Sequence, residues 1–201
     1  MSSTNTIRAS VPAVAVGATG LVTFGTLAAT MMQALDTTIA NVALPHMQGS
    51  LSASQEQVAW VLTSYIVASA IATTPTGYLA NRYGVKRIFL IAIVGFTVAS
   101  MLCGIASSLA EIVFFRLLQG VFGAALVPLS QTTLLDSYPP EKQGAAMAAW
   151  GVGVMIGPIL GPALGGWLTE YYSWRWVFYI NLPIGIATFF ALKSALPDSE
   201  S

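Results

Sequence analysis

Residues 88–110, IFLIAIVGFTVASMLCGIASSLA, form an uncharged run bounded by Arg87 and Glu111. A helix rises 1.5 Å per residue, so about 20 apolar residues cross a hydrocarbon core roughly 30 Å thick. Five more charge-free runs lie around this one, at 9–35, 57–81, 117–135, 143–169 and 176–192. The six runs predict six transmembrane helices. The chain has eight Lys or Arg and eight Asp or Glu among 201 residues, and 55% of it is hydrophobic. Its mean hydropathy is +0.72. A soluble helical domain needs charged outer faces, and these runs have none.

The first run is too long for the apolar core of a signal peptide and lacks a small-residue cleavage site, so it reads as an uncleaved span. Cys103 is the single cysteine and falls inside a span, which excludes an intrachain disulfide or a cysteine metal cluster. No metal site is expected. Net charge is zero, which argues against a nucleic-acid surface. Lys and Arg favour cytoplasmic loops. With six alternating spans, Arg8, Arg82, Lys86, Arg87, Lys142 and Lys193 share one side and Arg175 stands alone on the other. Both termini are therefore expected in the cytoplasm, and the chain is expected to be multi-pass.

The expected helices run from about Thr19 to Leu44, ending at Pro45, then Gln55–Ala80, Arg87–Ala106, Leu109–Leu135, Gln143–Thr169 and Arg175–Leu196. Residues 1–18 and 197–201 are read as a cytoplasmic segment and a polar tail around a bundle at 19–196. Ser108 suits an N-cap, and Gly84 suits a sharp turn. GYLANRYGVK (residues 77–86) aligns without gaps on GWLTEYYSWR (residues 166–175). The first copy closes the second span and the other closes the fifth, on opposite sides. That is the signature of an inverted three-plus-three repeat.

Asp36 is the sharpest candidate for chemistry. A carboxylate within a span is expensive and marks a functional site by default. It precedes Pro45 by nine residues, placing it roughly 13 Å below the outer end. Gln33, Thr37, Ala40 and Asn41 are expected near the same face. Arg116 lies about 10 Å into the fourth span, a matching depth, and Asp36 is its natural partner, directly or through Gln119. The alternatives are a structural carboxylate and an Arg that snorkels outward. Trp60 and Ser64 join Gln33, Asn41 and Gln119 as expected cavity lining. His46, the only histidine, falls in the outer loop.

The fifth span places small residues at every fourth position: Ala145, Ala149, Gly153, Gly157, Gly161 and Gly165. Such a stripe admits a closely packed helix, and Pro158 and Pro162 favour bending. A simple dimerisation motif is the alternative. Motifs for nucleotide phosphates, zinc hydrolysis, dithiol redox and serine hydrolysis are absent. An intramembrane enzyme lacks a nucleophile and base here, and any energy source must be an ion gradient or another subunit.

These residues together resemble the major facilitator superfamily, in particular its EmrB-type drug:proton antiporters. Gly77, Arg82, Gly84, Lys86 and Arg87 resemble the loop motif between the second and third helices, with Asn81 at its usual acidic position. Arg116-Leu-Leu-Gln-Gly resembles the fourth-helix motif, whose Arg is associated with proton coupling. Gly144, Gly153, Gly157, Pro158 and Gly161 resemble the antiporter motif of the fifth, with Pro162 replacing a common second glycine. Leu35-Asp-Thr-Thr through Pro45 resembles the first-helix motif of the EmrB group, and Trp174-Arg-Trp through Asn-Leu-Pro183 its sixth-helix start.

The resemblance implies half of a major facilitator fold, a proton gradient in place of a cofactor, and export of small hydrophobic or cationic drugs across a bacterial inner membrane. Asp36 and Arg116 would carry the proton coupling. The 77–87 segment and the Gly153–Gly165 stripe would gate the conformational change. The partners implied are drugs, protons, the lipid bilayer, a C-terminal helix bundle and a periplasmic membrane-fusion adaptor. The glycine stripe is then expected to face that second bundle. Alone, the chain is expected to expose this face and not to transport. A superfamily uniporter or importer and a non-transporting membrane scaffold are the alternatives.

Overall fold

The computed structural model describes residues 16–198. The described residues form helices α1 (Val16–Ser50), α2 (Gln55–Tyr83), α3 (Val85–Ile105), α4 (Leu109–Gly123), α5 (Leu126–Asp136), α6 (Pro140–Tyr171), α7 (Trp176–Tyr179) and α8 (Asn181–Ala195). They make six segments long and apolar enough to cross a membrane, because α4–α5 and α7–α8 each build one span. Both interruptions follow from proline. Pro128 and Pro183 have no N–H for the carbonyls of Ala124 and Tyr179, and their rings crowd those carbonyls. The helix accordingly opens at 124–125 and at Ile180.

Local signals set the other ends. Ser54 accepts from Gln57 N, and the Gln57 side chain accepts from Ser54 N, a closed capping box. Ser108 accepts from Glu111 N as expected for an N-cap. Pro140 starts α6 at a position that needs no donor. Gly84 joins α2 to α3 at φ 90°, a backbone angle that a Cβ would strain. Pro45, however, does not end the first helix. α1 continues to Ser50, and Met47, fully buried with Val58 and Ile112, anchors the extra turn. Packing outweighs the one backbone bond that proline removes.

The inverted repeat is visible in the packing. α1 rests chiefly on α6, as α4 rests on α2; α1 also packs on α8, as α4 packs on α3. The shift that lays Gly77 on Gly166 also lays Ala68 on Gly157. Gly157 sits against Ala34 of α1, and Ala68 sits against Gly120 of α4. Each triplet thus clasps the other through one small-on-small crossing, the contact that lets apolar helices approach closely.

The expectation for the glycine stripe is overturned. Gly153 lies against Leu27, Gly157 against Ala34, Gly161 against Thr38 and Gly165 against Ile39 and Val42. From Gly153 to Gly165 the stripe is the parallel α1–α6 interface, not a face left for a second bundle, while Ala145 and Ala149 are exposed. A Cβ on Gly157 would stand 2.6 Å from Ala34 Cβ and 2.9 Å from its backbone carbon. The outer face of α6 carries Val152, Met155, Ile159 and Trp167 instead, all exposed, and Pro158 and Pro162 point outward from a continuous helix. α2 and α6 are the least buried spans.

Candidate functional site: a buried carboxylate network

Asp36 and Arg116 meet at the centre of the bundle, each with zero exposure. Arg116 Nη1 donates to Asp36 Oδ2 at 2.6 Å and to Gln119 Oε1 at 2.8 Å. Its Nε donates to the Val61 carbonyl at 2.9 Å. The guanidinium plane lies 4.4 Å from the Tyr65 ring centroid, close enough for a cation–π contact. The second carboxylate oxygen, Oδ1, accepts from Gln119 Nε2 at 2.9 Å and from Asn181 Nδ2 at 3.2 Å. Asn181 Nδ2 also donates to Ser100 Oγ, which in turn donates a hydrogen bond to the Phe178 carbonyl. Cys103 completes the ring with a weak bond to Gln119 Oε1.

The members arrive from several elements. Asp36 comes from mid-α1, Ser100 and Cys103 from α3, and Arg116 and Gln119 from α4, three residues apart and therefore on one face. Asn181 opens α8 beside the proline-induced break. Two apolar clusters seal this layer. One holds Ile39, Met47, Val61, Ile112 and Phe178; the other holds Met32, Tyr65, Phe89, Phe96 and Leu126. Charges so enclosed persist only when paired and hydrogen-bonded. Two polar atoms here lack partners, Asn181 Oδ1 and Tyr65 Oη. Among the described residues no group of His, Cys, Asp or Glu is placed to hold a metal ion.

Residues 26–201 match the profile of the Major Facilitator Superfamily. The chain belongs to this superfamily. It is 46% identical over 190 residues to the multidrug export protein EmrB of Haemophilus influenzae, covering 94% of this chain and 37% of that protein. It is 46% identical over 173 residues to the EmrB of Escherichia coli K12, covering 86% and 34%. It is 50% identical over 158 residues to the fatty acid resistance protein FarB of Neisseria gonorrhoeae, covering 79% and 31%. The chain therefore spans about a third of the length of these relatives. The proton:xylose symporter XylE superposes on 91% of this chain and 46% of its own at a TM-score of 0.80 and 15% identity, a likeness of fold alone. The fold is an all-α, multi-pass membrane bundle built as half of a major facilitator unit.

The structure disperses the expected cavity lining. Gln119 belongs to the carboxylate network. Ser64 is buried and donates to the same Val61 carbonyl that receives Arg116. Gln33 and Thr37 are half-buried, whereas Asn41 is exposed. Asn41 sits five residues beyond Asp36, about 140° around the helix, and so leaves the face they were expected to share. Trp60 is 56% exposed and points away from the bundle interior. In the loop segment, Lys86 Nζ donates to the Leu196 carbonyl and to Asp198 Oδ1, both at 2.7 Å, tying the start of α3 to the end of α8. Arg82 and Arg87 are exposed and form no ion pair among the described residues. Arg175, at the opposite end, donates to the carbonyls of Gly104 and Ala106 and so caps α3, where a cation suits the helix dipole. The proposed segment 1–18 lies mostly outside the described residues, as do residues 199–201.

Sequence reasoning passed over Asn181, Ser100 and Tyr65. Asn181 had a signal: an amide inside a span is a buried polar group that must find a partner. Ser100 and Tyr65 had none, since hydroxyls are common in spans and only packing aims them.

Proposed function

We propose that this bundle is the proton-handling part of a drug:proton antiporter. In this reading it exports small hydrophobic or cationic compounds across the bacterial cytoplasmic membrane, both termini inside. It acts against a second helix bundle, and a periplasmic adaptor serves as a further partner. The proton gradient is its energy source, and it performs no catalysis. The observation that carries this reading is the Asp36–Arg116 pair sealed between two apolar layers. The similarity to proteins named for multidrug export supports the substrate class.

A proton taken up by Asp36 removes the counter-ion of Arg116. The cation is then left with the Val61 carbonyl, Gln119 and the Tyr65 face, too little to offset its burial. The protonated acid also becomes a donor, for which Asn181 Oδ1 is an unused acceptor once its amide turns over. These two changes favour a different packing of α1 against α4 and α8. The tight α1–α6 glycine interface would pass that movement to the outer face of α6, where the bundles rock on each other, and the 77–87 turn would set its limit. Asp36→Asn in the complete transporter is expected to abolish proton release from inverted vesicles on drug addition, with membrane insertion intact. Wild-type resistance in cells carrying that variant would refute the proton role.

A further inference from the structure

A cavity of about 930 Å³ opens at the α2–α3 end of the bundle. Its mouth is lined by Arg82, Lys86 and Arg87, with Asp198 as the single acid among the described residues. Its inner wall is apolar, formed by Leu90, Ile91, Val94, Phe122 and Phe189. A second cleft of about 180 Å³ continues from it between α3 and α8, sharing Val94 and Phe189 and reaching Val98 and Phe190. The proton-coupling mechanism uses only the 77–87 turn at its mouth, as a limit to rocking, and leaves the apolar slot without a role.

The dimensions and charge specify an occupant. Arg87, Ile91, Val94 and Val98 fall on one face of α3, and all are exposed. They run about 16 Å along the helix, about half the roughly 30 Å hydrocarbon thickness, which is one leaflet. A cationic mouth at the membrane surface above an apolar slot one leaflet deep complements a molecule with an anionic head and a long acyl chain. Lys86 is engaged by Asp198 and the Leu196 carbonyl, which leaves Arg82 and Arg87 to meet the head group. Guanidinium groups pair with phosphate in a bidentate fork, and basic pockets between spans hold acidic lipid head groups. We infer that this groove is a binding site for one anionic phospholipid, its phosphate on Arg82 and Arg87 and an acyl chain along α3 and α8.

The test counts lipid retained on the purified full-length protein by native mass spectrometry. The probes are dioleoyl phosphatidylglycerol and dioleoyl phosphatidylcholine, which share acyl chains and differ in charge. The wild type is expected to retain one phosphatidylglycerol in preference to phosphatidylcholine. R82Q/R87Q is expected to weaken that preference about 30-fold, from the attraction of two basic side chains for an acidic surface. V94W, which keeps every charge and fills the slot, is expected to lower retention as well, while inorganic phosphate does not displace the lipid. V94W decides the question if R82Q/R87Q inserts wrongly. Equal retention of the two lipids, unchanged retention in V94W, or displacement by inorganic phosphate would overturn the site. Retention of neither lipid would also overturn it.

Discussion

The two ion pairs among the described residues have almost the same length and opposite surroundings. Arg116–Asp36 spans 2.6 Å with side chains 1% and 0% exposed, and Lys86–Asp198 spans 2.7 Å with side chains 16% and 94% exposed. Distance alone would make them equals. Coulomb attraction scales inversely with the local dielectric, so the buried pair attracts far more strongly and has also lost far more hydration. Its charges depend on each other, because either one alone would be stranded between apolar layers. The exposed pair exchanges its partners for water at little cost. A stranded charge forces rearrangement, and that is why the proposed coupling is assigned to Asp36 and only a tether to Lys86.

The sharpest way to break this contrast is to strand one charge. Arg116→Leu is expected to destabilise the bundle by about 3–5 kcal/mol, the cost of an uncompensated buried partner, read by denaturant unfolding in detergent. Asp36→Asn combined with Arg116→Gln should cost less than Arg116→Leu alone. A double variant as damaging as the sum of its single changes would show that the two charges do not depend on each other. A smaller effect is expected at Asn181→Ala, which removes one donor from Asp36 and one from Ser100 and should cost about 1–3 kcal/mol. Unchanged unfolding would place Asn181 outside the network.

The smallest effect belongs to the exposed pair. Asp198→Asn should leave the melting temperature of the bundle unchanged and insensitive to 1 M salt, where the screening length is about 3 Å. The Lys86 ammonium holds the Asp198 carboxyl below the usual carboxylate range through a hydrogen bond and its charge. Its contribution is present above that range and is lost as pH falls through the lowered value. Carbon NMR of the carboxyl should show the depressed midpoint, returning to about 3.9 in Lys86→Gln. A midpoint that ignores Lys86 would mean that the contact does not persist in solution.

Environment also decided which sequence signals could be read. The six spans were legible because hydrocarbon tolerates so few charges that their absence is itself a pattern. Asp36 and Arg116 stood out for the same reason, and their similar depth followed from counting turns. Ser108 and Gly84 act locally, so their residue types suffice. Pro45 misled because the loss of one backbone bond is visible in sequence, whereas the burial of Met47 that outweighs it is not.

The glycine stripe marks the boundary between the two kinds of knowledge. Its spacing establishes that some helix approaches α6 closely, but a smooth surface is complementary to any smooth surface. Only the folded bundle shows that α1 fills it and that α6 turns its large apolar side chains outward. Likewise, a lone carboxylate in a span announces that it needs partners. Which amide, hydroxyl and carbonyl supply them depends on how four helices cross, and that is settled by side-chain packing over the whole chain, not by any local run of residues.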